Sequence, residues 1–462
     1  MVLAAFLTAL MAFVLVGLAS ASQAQATKAD YYAASRALSP PLVGLSAIAT
    51  NNSGYMFIGL MGFTWSVGLA SLWLMVGWIA GDFLASGVVH RALRQEANRR
   101  QELTLAGALA TWHGTVQPWV RRAAALITLA LLGAYAAAQL TAGGKALQSM
   151  FNWPPGAGAL LVAAIVAAYC MAGGLRASVW TDVAQSGVMI VAMALLLVFA
   201  LEAAGGGVAA WAALAEVPGY LEPFPADLLL PGWAGAGLFV LGWMFAGASV
   251  IGQPHIMIRF MALDRDRHFN AARAWYYGFF ILFYAMAAAV GLLSRLLLPE
   301  LGAQDPELAL PAMASELLPP VLVGVVLAGI FAATMSTADS LVLSCSSAIT
   351  HDLLGGRLEK PLQLRLVTLL VVGLALAIAL SGTQSVFVLV IFAWSGLASA
   401  FGPLLWSYAR GIRLSERQAL AVMFTGLAVA LAWRGLGWQD MVYEGLPGML
   451  AGWVLIQLLK RG

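Results

Sequence analysis

The sequence predicts an all-α polytopic membrane protein of about 13 transmembrane helices. Three observations predict it. Hydrophobic residues make up 61% of the 462 and charged residues only 10%, too little polar surface to wrap a water-soluble globule. Apolar runs long enough to cross about 30 Å of hydrocarbon as helix recur along the whole chain. Lys and Arg collect in alternate connections between those runs, as the positive-inside rule requires.

In order, the runs occupy residues 2–20, 38–63, 66–88, 122–144, 158–173, 181–202, 232–254, 273–296, 312–350, 364–382, 385–408, 418–435 and 441–460. With the N-terminus outside and the C-terminus inside, 13 crossings place all 24 Lys and Arg on the cytoplasmic side except Lys145, Arg295 and Arg434. One helix more or fewer would scramble that split. The net charge of +3 is therefore a topology signal, pointing to lipid and not to nucleic acid. Arg259, Arg265, Arg267 and Arg273 read as one solvated cytoplasmic loop. Lys145 reads as snorkelling to the outer interface, and Trp153 and Tyr443 as interfacial anchors.

The first run ends in Ala21-Ser22-Gln23-Ala24-Gln25-Ala26, which resembles a signal-peptidase site. No Lys or Arg precedes it, so an uncleaved first span is expected. Cys170 and Cys345 lie in apolar runs as small core residues, and the five histidines show no metal-ligand spacing. The longest polar stretches, 90–121 and 205–230, read as loops. No glycine-rich nucleotide motif appears, which leaves an ion gradient or a passive pore.

Two runs are interrupted. The second holds Thr50-Asn51-Asn52-Ser53 in mid-run, and the seventh holds Gly247-Ala248-Ser249 and then Gly252-Gln253-Pro254. Asn, Ser, Gly and Pro compete for helix hydrogen bonds or remove them. Unwound backbone at this depth has to line a cavity or be covered by protein. Breaks five spans apart point to an inverted-repeat transporter with its site at the midplane; the alternative is close helix packing, since Gly, Ala and Ser let backbones approach.

The ninth run carries Ala333, Ser336, Thr337, Ser340, Ser344 and Ser347 at three- and four-residue spacing, one polar stripe offering oxygens to a hard cation. Hydroxyls bonding back to their own helix are the alternative. Asp339 stands beside the stripe, where a central carboxylate costs about 2.5–3.5 kcal/mol and calls for a partner. Asp182 at the start of the sixth run reads either as a helix N-cap or as a cation ligand.

With Asp30-Tyr31-Tyr32, Ser178-Val179-Trp180-Thr181-Asp182, Gly252-Gln253-Pro254-His255, Arg259-Phe260-Met261-Ala262, Met335-Ser336-Thr337, Cys345-Ser346-Ser347, Ala393-Trp394-Ser395-Gly396 and Phe401-Gly402-Pro403, the chain resembles the sodium:solute symporter family, above all its bacterial sodium/proline branch. The resemblance implies a LeuT-type core of two five-helix inverted repeats (38–230 and 231–410), a first helix and loop (1–37) and two C-terminal helices (411–462). It also implies sodium-driven uptake across a bacterial cytoplasmic membrane. Carried over residue by residue, the common sodium site becomes the carbonyls of Ala49, Asn52 and Ala333 with the side chains of Ser336 and Thr337. A second sodium would fall at Asp182, Asp339 and Ser340. Substrate contacts would fall at Asn51, Ser53, Gly54, Gly247, Ser249, Gln253 and Trp394. That branch has an aspartate where this chain has Asn51, and aromatic residues at Ala246 and Val250, which leaves a roomier cavity here. The expected cargo is a small organic solute, a proline-like amino acid or related carboxylate. The alternatives are a sugar, sialic acid or pantothenate-like solute, or a sensor acting with a separate signalling partner. No nucleophile–base pair points to an enzyme.

Overall fold

The computed structural model describes residues 1–21, 27–355, 357–358, 360–382 and 385–460. The cleavage-like stretch 22–26 lies outside the described residues. Among those described there are helices and turns and no strand, only an isolated bridge between Leu38 and Leu263. Ten helical stretches are long and apolar enough to cross a membrane, and two shorter apolar helices accompany them.

We number the principal helices α1 (Val2–Ala21), α2 (Pro40–Phe57), α3 (Gly59–Val67), α4 (Leu72–Arg100), α5 (Pro118–Phe151), α6 (Pro155–Ala203), α7 (Gly232–Ala248), α8 (Pro254–Met261), α9 (Phe269–Leu297), α10 (Pro320–Ser347), α11 (Pro361–Leu380), α12 (Val386–Ala409), α13 (Glu416–Gly435) and α14 (Gly445–Leu459). The core is built on α10, which packs against α1, α2, α5 and α6. Every residue of α10 from Val326 to Leu343 is buried, so the stripe from Ala333 to Ser340 faces protein and not lipid, with Ser344 and Ser347 half-buried beyond it.

The two breaks fall where the polar runs stand. Helix α2 leaves helical geometry at Ser53 (φ 49°, ψ 179°). The freed Gly54 N–H donates to Gln139 Oε1 at 2.8 Å, so the unwound turn is satisfied by α5. Between α7 and α8 the chain makes a 3₁₀ turn over Ser249–Gly252 and then an extended residue at Gln253 (φ −95°, ψ 100°). Pro254 forces this, since its ring excludes the preceding residue from helical space.

Helix α6 is bent at Gly174 (φ 61°, ψ −153°) into two limbs. A side chain there would be strained and would meet the Tyr31 carbonyl at 2.4 Å. Asp182 consequently lies two turns inside the second limb, so it does not cap that helix. The polar stretch expected as a loop from residue 90 is helical to Arg100, because α4 runs past its apolar part and carries Arg91 and Arg94 to Asp266.

Candidate functional site

The hydroxyl stripe of α10 meets the broken end of α2. Ser336 Oγ lies 3.3 Å from Ala49 O and 3.1 Å from Ala333 O, which brings three of the five expected sodium ligands together. Thr337 Oγ1 donates to Thr50 O at 2.9 Å, two residues before the expected partner at Asn52. The Asn52 side chain is buried, and neither its Nδ2 nor its Oδ1 has a hydrogen-bond partner. Such a group at this depth is costly unless something else satisfies it. The oxygens here are hydroxyls and carbonyls, the donor set that suits a hard monovalent cation.

The second expected cation site is organised differently. Asp182 Oδ2 accepts from Ser46 Oγ at 2.6 Å and from Arg259 at 2.9 Å. Arg259 is fully buried, where a solvated loop was expected; α8 carries it back into the core. Its guanidinium also donates to Ser46 Oγ (2.7 Å), Ser340 Oγ (2.5 Å), Ser178 Oγ (3.2 Å) and His255 O (2.5 Å). Asp339 Oδ1 accepts from Ser340 at 2.8 Å and Ser178 at 3.3 Å. Asp182, Asp339 and Ser340 are thus brought together, with an arginine between them. A narrow cavity lined by Tyr32, Thr104, Thr128, Arg259, Ser340 and Ser344 reaches this cluster.

Around the two breaks lies a second group of unsatisfied atoms. Gln253 Nε2 donates to Ser249 O and Trp394 O, while its Oε1 has no partner. Trp394 Nε1, Gln139 Nε2 and both His255 ring nitrogens are likewise unpartnered and buried. The Tyr135 hydroxyl lies near the Ser53 and Trp394 side chains without a well-formed bond to any group. The Tyr135 ring meets His255 at 5.5 Å, so α5 links the two breaks. Ser53, Gly54, Gln253 and Trp394 therefore share one region, while the Asn51 amide turns to Tyr276 and Asp82.

Two expected substrate contacts do not belong to it. Ser249 turns away to Tyr443, with the hydroxyls 2.9 Å apart, and Tyr443 is a buried helix-packing residue where an interfacial anchor was expected. Gly247 is pressed against α4; a Cβ there would lie 1.9 Å from Trp78 O, so it serves close packing.

Lys145 does not snorkel. Its Nζ meets Asp305 at 2.6 Å and Glu307 at 2.5 Å. Glu307 in turn accepts from Ser385 Oγ (2.7 Å), Val386 N (3.0 Å) and Phe387 N (2.9 Å), capping the start of α12. Gly62 of α3 packs directly on Glu307.

Sequence reasoning missed Asp82, Tyr135, Gln139, Tyr276 and Tyr277. The Asp82 signal was present, as a lone carboxylate within an apolar run. The tyrosines and Gln139 gave none, being ordinary residues of amphipathic helices.

Two broken helices flanking unsatisfied polar atoms, beside an oxygen-lined pocket on a third helix, define a multi-pass secondary transporter for a small solute. The family model of the sodium:solute symporter family matches residues 31–426. The chain belongs to that family. It is 31% identical over 437 residues to the sodium/proline symporter of Salmonella typhimurium, covering 92% of this chain and 86% of that protein. It is 30% identical over 435 residues to the high-affinity proline transporter PutP of Bacillus subtilis, covering 91% and 90%. Among solved structures, a substrate-bound, outward-open Na+-coupled sialic acid symporter matches with a TM-score of 0.76 at 19% identity, over 99% of this chain and 98% of its own. MHP1, a nucleobase-cation-symport-1 family transporter with bromovinylhydantoin bound, matches with a TM-score of 0.61 at 14% identity, over 93% and 94%. The fold is the LeuT-type architecture that the sequence led us to expect.

Proposed function

We propose that the chain imports a small zwitterionic solute, L-proline or a related amino acid or carboxylate, together with sodium. The observation that carries this is the set of buried polar atoms without partners between the breaks: Asn52, Tyr135, Gln139, Gln253 and Trp394. A polar solute entering there satisfies atoms that protein leaves bare. The proline-transporting relatives supply the solute class.

Sodium is held by the carbonyls of Ala49, Asn52 and Ala333 with Ser336 and Thr337, and a second cation by Asp182, Asp339 and Ser340. Asn51, Ser53, Gly54, Gln253 and Trp394 contact the solute. Residues 38–230 and 231–410 are the two inverted repeats, flanked by 1–37 and 411–462. Counting α2–α3 and α7–α8 as one span each and α6 as two, the chain crosses 13 times, from an outer N-terminus to an inner C-terminus. The cavity reaching Arg259 is then the inner path. The Lys145–Glu307 contacts close the outer one.

The test is uptake of radiolabelled L-proline into proteoliposomes holding the purified protein, with an inward sodium gradient and with none. Saturable uptake that disappears without sodium is expected. A panel of amino acids, carboxylates and sugars in which none moves faster with sodium would refute the reading.

A further inference from the structure

Asp82, on α4, is fully buried within a membrane-spanning stretch. Its Oδ2 accepts from the Tyr276 hydroxyl at 2.7 Å and lies 3.5 Å from Asn51 Nδ2. Its Oδ1 accepts from the Tyr277 hydroxyl at 2.6 Å, and that hydroxyl lies 2.6 Å from Ser86 Oγ. Asn51 Nδ2 also donates to the Tyr276 hydroxyl. Among the described residues no Lys, Arg or His forms an ion pair with Asp82. Arg273 is engaged with the Phe83 carbonyl at 2.7 Å and with the Phe83 ring.

A carboxylate only accepts hydrogen bonds, so Asp82 requires Asn51 to turn its NH₂ toward it. Among the described residues no donor reaches the amide carbonyl oxygen, two residues before the break at Ser53. An acceptor backed by an uncompensated carboxylate attracts positive charge. We propose that Asp82 is a positioning residue: through Tyr276 it fixes the Asn51 amide so that its carbonyl oxygen receives a monovalent cationic centre, either the solute's ammonium or a sodium ion. This deepens the symport reading and rests on it. It also separates the position from the oxygen set around Ser336, to which Asp82 makes no contact.

The variants are Asp82→Asn, Asp82→Glu and Tyr276→Phe, each checked for folding by size exclusion and melting. Initial rates of L-proline uptake are compared with inhibition by tetrahydrofuran-2-carboxylate, which replaces the ring nitrogen with oxygen. Binding of ²²Na⁺ is measured without solute. If the ammonium is the occupant, Asp82→Asn raises the KM for proline roughly 10- to 100-fold with little change in kcat, and the oxygen isostere loses almost none of its potency. If sodium is the occupant, the half-saturating sodium concentration rises by a similar factor and the solute preference stays. Asp82→Glu restores part of either effect, and Tyr276→Phe moves the same constant in the same direction. A folded Asp82→Asn protein with unchanged KM, unchanged isostere preference and unchanged ²²Na⁺ binding overturns the proposal. If the wild type moves no proline, the cargo reading fails by itself. Asp82 is then judged on ²²Na⁺ alone, where an unchanged half-saturation overturns it.

Discussion

Replacing Arg259 by Met should destabilise the protein more than replacing Asp182 by Asn, and the double variant should cost less than the two singles together. Both side chains are fully buried and 2.9 Å apart. Removing one partner of such a pair costs roughly 3–5 kcal/mol, whereas replacing both with apolar groups is close to neutral. The surroundings set where each single falls in that range. Without the Asp182 carboxylate, the guanidinium still meets Ser46, Ser340 and the His255 carbonyl at 2.5–2.7 Å, so Asp182→Asn belongs at the low end. Without the guanidinium, Asp182 and Asp339 are two buried carboxylates with hydroxyl donors only, so Arg259→Met belongs at the high end. The assay is equilibrium unfolding in mixed micelles, read by tryptophan fluorescence, for Asp182→Asn, Asp182→Leu and Arg259→Met and for the Asp182→Leu/Arg259→Met double, whose cycle is closed with the Asp182→Leu single. A coupling of at least about 2 kcal/mol is expected. Saturating sodium should stabilise Arg259→Met more than the wild type, because a cation can take the vacated position. Additive single costs, or an Arg259→Met protein milder than Asp182→Asn, would show that the pair is not what holds these helices together.

Other outcomes follow from the same contacts. Ser336→Ala and Thr337→Ala should each raise the half-saturating sodium concentration of uptake, by about tenfold for the loss of one neutral oxygen ligand; unchanged sodium curves for both would remove that site. Asp339→Asn should weaken the sodium dependence of uptake, and a superimposable curve would leave Asp339 a purely structural acceptor. Glu307→Ala should leave the first amides of α12 uncapped and Lys145 with Asp305 alone, lowering stability by about 1–2 kcal/mol in a thermal or denaturant melt; an unchanged melt would show that this cap does not hold α12. At Glu102, outside the membrane-spanning helices, burial alone would raise the pKa. His351 at 3.8 Å and the Arg121 guanidinium at 2.5 Å outweigh it and hold the carboxyl below its ordinary value. Its stabilisation is therefore present above the ordinary glutamate range and is lost as pH falls through the lowered value. Melting curves recorded against pH should show a shallower acid limb for Glu102→Gln.

What was legible in the sequence was whatever depends on local chemistry. The break at Ser53 is written in four consecutive polar residues, and the second in Gln253-Pro254, because a helix cannot continue through them whatever surrounds it. The stripe of α10 was legible because helical spacing alone puts Ala333, Ser336, Thr337 and Ser340 on one face. Contacts between distant helices were not. Arg259 lies in a run of basic residues that reads as loop, and only the return of α8 into the core gives it Asp182, 77 residues earlier in the chain. Ser249 and Gly247 sit at the right break on the wrong side of it, and neither type nor spacing distinguishes a residue facing α14 or α4 from one facing the cavity. Lys145 reads as a snorkelling lysine because its acids come from a loop 160 residues later.

The charges of the core would divide the work between the cation positions proposed for it. Around Ser336 every oxygen is neutral, and a neutral set binds a monovalent ion strongly enough to take it up yet weakly enough to let it go, as a carrier requires. At Asp182 and Asp339 two carboxylates face one guanidinium, which leaves a single net negative charge in a buried place if both carboxylates are ionised. That excess suits one further monovalent cation, with Arg259 keeping the pair from binding a divalent one too tightly to release. Beside Asn51 no acid stands on α2, and a carboxylate stands on α4 as Asp82, reaching the Asn51 amide. A charge one helix removed acts through the orientation of a neutral side chain and not by direct coordination. It biases the solute position toward a cationic centre without fixing an ion there, which is the arrangement that leaves room for the solute itself to supply the charge.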